Sequence, residues 1–123
     1  PKLIYTGSFK VAMQEIVEAY SYYEFVVNNR IPGPKEIGVG NCYYLLGLCD
    51  LTGELVRKAI DSGIKSKFED LVKIKELVAE IYGAFIGLDI RENELRKKFD
   101  GIKYDLKKLE DLVFKLKVED KIK

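Results

Sequence analysis

Histidine and tryptophan are absent from this 123-residue sequence, and methionine and glutamine occur once each, as Met13 and Gln14. Without histidine there is no Ser-His-Asp or Cys-His nucleophile system. Histidine-containing zinc sites and the Glu-x-x-His di-iron motif of helical bundles are excluded as well. Acid–base or metal chemistry must rest on carboxylates, lysine, tyrosine or thiols. No apolar run reaches ~18 residues and no signal-peptide pattern is seen, so no membrane span is expected. The two cysteines, Cys42 and Cys49, would stand ~10 Å apart along one helix, too far for a disulfide. Both are expected to be reduced, buried thiols, which suits a cytoplasmic protein. Neither sign of charge dominates, since the formal net charge is +1. That argues against nucleic-acid binding through bulk charge but leaves room for a local basic surface. Scarce Gln and Met beside abundant Lys and Glu resemble the composition of hyperthermophile proteins.

The length points to one domain over residues 1–123, large enough to bury a core, although at this size an exposed helical face often needs a partner. Charge divides the chain: residues 1–60 carry 12 charged side chains and residues 61–123 carry 29. The first half reads as interior and the second as solvated amphipathic helix. A first helix is expected from Ser8, as N-cap, to Asn29, because Phe9, Met13, Ile16, Tyr20, Tyr23 and Val27 make one apolar stripe. Two prolines and three glycines between Arg30 and Gly40 predict a flexible loop over about 30–40. A second helix is expected from Asn41, as N-cap, to about Asp61. It is nearly free of charge, so it should be buried on several sides. Gly47 and Gly53 within it suggest close approach of a neighbouring backbone. A third helix is expected from about Ser66 to Gly87, with Phe68, Leu71, Val72, Ile74, Val78, Ile81 and Phe85 on its apolar face. A fourth is expected from about Glu92 to Lys117, where Leu95, Phe99, Ile102, Leu106, Leu109, Val113 and Leu116 form an uninterrupted heptad seam. The fold class is therefore all-α, a bundle of long antiparallel helices with short connections.

Two acidic pairs stand among apolar neighbours. Glu15 and Glu18 are spaced i, i+3, and Asp50 and Glu54 are spaced i, i+4. Each spacing puts both carboxylates on one side of a helix. If the two helices pack antiparallel, four carboxylates converge. Four such groups in a low-dielectric interface repel one another and resist ionisation. No lysine or arginine lies within either acidic stretch, so a hard divalent cation, Mg2+ or Mn2+, is the natural counter-charge. A carboxylate-held cation with open water positions suits phosphodiester hydrolysis. Against this, acidic residues on helices most often face solvent and pair with lysines elsewhere. Among the aromatic residues, Tyr22 is the best candidate to stack a base, since it falls on the Glu15/Glu18 side; Tyr20 and Tyr23 are expected in the core. Arg57 and Lys58 follow Glu54 closely enough to meet a phosphate, or else complement the helix dipole.

Three stretches resemble the translin and translin-associated factor X family. They are Q-E-x-V-E-A at Gln14–Ala19, Y-L-L-G-x-x-D-L-T-G-E-L at Tyr44–Leu55, and L-R-K-K-F-D-G-I-K-Y-D-L-K-K-L-E at Leu95–Glu110. The resemblance implies a translin-like all-α fold whose subunits form a hollow octamer around single-stranded RNA or DNA. It also implies, for the factor-X type, a Mg2+-dependent endoribonuclease site of four acids, which fall here on Glu15, Glu18, Asp50 and Glu54. The second motif looks like the factor-X type and the third more like translin. That mixture suits a single-gene, archaeal, homo-oligomeric version. Family members are longer, with helices before the first motif that help bind nucleic acid, so the chain is expected to be an N-terminally truncated, site-bearing portion.

The sequence thus predicts a single-strand-selective, Mg2+-dependent endoribonuclease whose metal-binding and catalytic residues are those four acids. A non-catalytic single-strand-binding or scaffold subunit is the alternative. An all-α nucleotide pyrophosphohydrolase ranks below both.

Overall fold

The computed structural model describes the backbone of residues 2–123 and side chains from residue 7 onward. Its elements are α1 (Lys2–Asn28), α2 (Pro34–Ile37), α3 (Asn41–Ile64), α4 (Phe68–Ile86) and α5 (Asn93–Val118), and no strand occurs among the described residues. The protein is all-α. The chain divides into two compact units, Pro1–Leu51 and Thr52–Lys123, with the boundary inside α3.

In the first unit α1 starts earlier than its N-cap signal suggested: Ser8 lies within the helix. The apolar stripe of α1 is also placed otherwise than expected. Phe9, Ile16, Tyr20, Tyr23 and Val27 are exposed, whereas Gln14, Val17, Ser21, Glu24 and Phe25 are buried. Periodicity marks an apolar face but does not say that the same chain covers it. The buried side of α1 meets α3 at a glycine. A Cβ added to Gly47 would fall 2.5 Å from the Val17 Cβ and 3.1 Å from the Gln14 carbonyl oxygen. Gly47 thus serves the close approach expected of it. Gly53 does not, as nothing lies within 4 Å of the corresponding position.

The segment after α1, expected as a loop, contains the one-turn helix α2 and several side-chain bonds. Asn29 takes a left-handed conformation (φ 54°) and closes α1 by donating its N–H to the Phe25 carbonyl at 3.0 Å. Arg30 then bridges two acids. Its Nε lies 2.9 Å from Glu24 Oε2, and its Nη1 donates to Glu36 Oε1 at 3.0 Å, with a second guanidinium nitrogen on the other Glu36 oxygen. Tyr20 donates its hydroxyl to Glu36 Oε2 at 3.3 Å. The guanidinium hydrogen bond holds the Glu36 carboxyl below its usual range. The one-turn α2 begins at Pro34, whose missing N–H costs nothing at a helix start, and ends at Gly38 (φ 84°). Tyr44 on α3 ties this segment down by donating to the Pro32 carbonyl at 2.7 Å. Burial pushes the Tyr44 phenol above its ordinary value.

The second unit holds the end of α3 with α4 and α5. Buried residues of α4 are Leu71, Ile74, Leu77, Val78, Ile81 and Phe85. Those of α5 are Leu95, Phe99, Ile102, Leu106, Leu109, Val113 and Leu116, which are the heptad seam residue for residue. Each fully buried side chain of this kind contributes ~1.5–3 kcal/mol. The two helices pack together. Phe99 stacks on both Phe85 and Tyr82, with ring centroids 5.4 and 5.3 Å apart. α5 is capped by Glu92, whose carboxylate accepts from the backbone N–H groups of Glu94 (3.0 Å) and Leu95 (2.7 Å). α3 is closed by Ser66 (φ 61°), just past its last residue, where Lys67 N–H bonds the Ser62 carbonyl (2.8 Å) and Ser66 N–H bonds that of Gly63 (3.1 Å). α5 is closed the same way by Asp120 (φ 57°), just past its last residue. Both are Schellman closures without glycine.

Candidate functional site

Sequence locates the four acids on two helices, and local packing sets how they are presented. On α1, Glu15 is exposed and Glu18 half-buried, and they flank the fully buried Val17. Val17 is the residue that seats against Gly47. Asp50 follows Gly47 by three residues on α3 and is half-buried, between the buried Cys49 and Leu51. The first unit therefore holds three of the acids on two helices that approach closely at Val17 and Gly47, within a turn of them. Glu54 lies one turn beyond Asp50 along α3, in the second unit, and is half-buried. Its Oε2 stands 3.6 Å from Arg57 Nε. Glu18 and Asp50 each engage other groups of the chain. Among the described residues, no three His, Cys, Asp or Glu side chains are gathered closely enough to hold a metal ion as they stand. The donor set itself is all carboxylate oxygen, which fits a hard cation such as Mg2+ or Mn2+ and not a soft one.

The flanking candidates fall out as follows. Tyr22 is half-buried and engaged within the chain. Tyr20 and Tyr23, expected in the core, are 39% and 61% exposed. Exposed aromatic surface on α1 therefore lies on the stripe and not at Tyr22. Arg57 is exposed and leans on Glu54, while Lys58 is exposed and has a partner within the chain. Cys49 is buried as expected, but Cys42 is exposed, because it sits in the first turn of α3 before that helix enters the core. Both thiols are free. One residue that sequence reasoning passed over is Ser21. Its hydroxyl is buried without a hydrogen-bond partner on the covered side of α1. A serine amid apolar residues gave no signal beyond its small size.

Comparison with known proteins fixes the class. The Translin family model matches residues 1–120, and the chain belongs to that family. Translin of Gallus gallus is 35% identical over 75 residues, 61% of this chain and 33% of that protein. Translin-associated protein X of Rattus norvegicus is 35% identical over 77 residues, 61% of this chain and 26% of that protein. The crystal structure of apo-NeC3PO superposes with a TM-score of 0.82 at 30% identity, covering 90% of this chain and 60% of that one. The matched region thus spans about a third or less of the length of these curated relatives. No helix among the described residues is long and apolar enough to cross a membrane.

Proposed function

We propose that this chain binds single-stranded RNA or DNA and cleaves RNA with a divalent cation, Mg2+ or Mn2+, held by Glu15, Glu18, Asp50 and Glu54. The observation that carries the proposal is the Val17–Gly47 contact, which sets the Glu15/Glu18 turn of α1 against the turn of α3 that leads to Asp50. When bound, such a cation supplies a water of lowered pKa and positive charge for a phosphoryl oxygen. The chain's own residues do the remainder. Half-buried Glu18, Asp50 and Glu54 limit the water around the donors. Arg57, 3.6 Å from Glu54, brings a cation that suits the orientation of a phosphate. The exposed apolar side of α1 supports a homo-oligomer, of which the octamer is the finer form proposed.

A second reading is favoured by the Arg57–Glu54 pair, in which the acids are structural and the chain is a non-catalytic binding subunit. One experiment separates the two. Wild type should cleave a labelled single-stranded RNA in Mg2+, and Glu54→Gln should lose at least about 100-fold in rate. Mg2+ should also raise the melting temperature of wild type and not that of the variant, because a ligand of the native state stabilises it. Binding without cleavage, together with no thermal response to Mg2+, would establish the non-catalytic reading.

A further inference from the structure

The first turns of α4 and the last turns of α5 border an open groove of about 910 Å3 that contains none of the four acids. Six lysines line it: Lys67, Lys73, Lys75, Lys117, Lys121 and Lys123. Glu69, Asp70 and Glu76 are the acids that face it, so the lining carries an excess of three positive charges. Glu69 and Asp70 sit in the first turn of α4, where they complement the helix dipole. Lys121 lies 3.3 Å from Glu119, and Lys73 is engaged within the chain. Lys67 and Lys117 are exposed, on opposite helices. Between the lysines the lining is apolar: Phe68, Val72, Val113 and Ile122. Phe68, Val72 and Ile122 are only half-buried.

We infer that this groove is a binding site for single-stranded nucleic acid, with the lysines meeting phosphates and the apolar floor receiving bases. A basic groove that tracks the backbone, with an aromatic side chain on which a base can stack, holds strands without sequence preference, and Phe68 is the one aromatic residue of this floor. A duplex keeps its bases inside its stack and gains nothing from such a floor. The inference rests on the nucleic-acid reading proposed above, and it assigns that binding to residues apart from the acidic site. A strand anchored here is held whether or not it is cut.

Fluorescence anisotropy of a labelled single-stranded RNA, titrated with the whole chain at several salt concentrations, tests it. The Lys67→Glu, Lys117→Glu double variant should bind at least about tenfold more weakly, with the salt slope lowered by roughly 1.4, about 0.7 for each phosphate that is no longer neutralised. The same charge change at exposed Lys103 and Lys107, in the middle of α5, should have a much smaller effect. An unlabelled single strand should displace the labelled RNA better than a duplex of equal length. Wild type that binds while the groove pair weakens it no more than the control pair would overturn the groove and leave the binding reading standing. Equal competition by duplex would overturn the single-strand assignment. A wild type that does not bind would remove both readings.

Discussion

Gly47 and Val17 fix how near α1 comes to α3, and with it the setting of Glu15, Glu18 and Asp50. A methyl group at Gly47 has no room, since it would sit 2.5 Å from the Val17 Cβ and 3.1 Å from backbone. Overpacking of this kind costs about 1–3 kcal/mol, against a helix-propensity gain of about 1. Gly47→Ala should therefore lower the urea midpoint, with a net loss of about 1 kcal/mol. Ser21→Ala, on the same covered side of α1, should act in the opposite sense. It removes an orphaned hydroxyl and adds a better helix former, a gain of about 1 kcal/mol. Equal stability of the two variants would show that α1 and α3 are not held together at Gly47. At this scale the sequence was legible only where chemistry is local: spacing placed each acid pair on one side of its helix, while glycine inside a helix pointed alike to Gly47, which is tight, and Gly53, which is open. Whether three acids meet one ion depends on the register between helices, which no single-helix spacing carries. Cys42 departs from expectation for a related reason, because a thiol's burial follows the turn it occupies and not its residue type.

Helix ends show what sequence patterns hide at the level of elements. α3 and α5 both close through a left-handed residue that is not glycine, Ser66 and Asp120. A left-handed conformation costs a side-chain-bearing residue roughly 1–2 kcal/mol. Ser66→Gly should relieve most of that and raise the unfolding free energy by about 1 kcal/mol, while Ser66→Ala should leave it nearly unchanged. Denaturant curves on the three proteins decide it, and a destabilised glycine variant would mean that the Ser66 closure carries no strain. Without the glycine signal, the end of α3 was expected near Asp61 and falls at Ile64. The α5 seam was fully legible because α4 buries it within the same unit. The α1 stripe has the same periodicity and lies exposed. The spacing recurs in both helices, but α1 also carries apolar residues off its stripe, Val17 and Phe25, and these are the ones its own chain buries.

For the molecule as a whole, the exposed stripe of α1 is an apolar face that the described residues leave uncovered. Phe9, Ile16, Tyr20, Tyr23 and Val27, spaced to share one face of α1, are each between 39% and 61% exposed. Contiguous apolar surface of this kind marks an interface in soluble proteins. A second copy of the chain is the partner that a homo-oligomer supplies. Sedimentation velocity should therefore show species heavier than the 14.1 kDa chain. Placing charge at two outward positions one turn apart, Tyr23→Lys with Val27→Lys, should shift the population toward monomer. Both side chains are more than half exposed, so helicity measured by circular dichroism should stay at the wild-type level and the loss should be of association alone. A wild type that sediments as a monomer at every concentration would remove the homo-oligomer from the proposed function. A variant that associates as well as wild type would move the interface elsewhere and leave the α1 stripe without a role. Loss of association with helicity intact would assign to α1 two duties on different faces: packing on Gly47 within its own unit, and joining copies through its aromatic stripe.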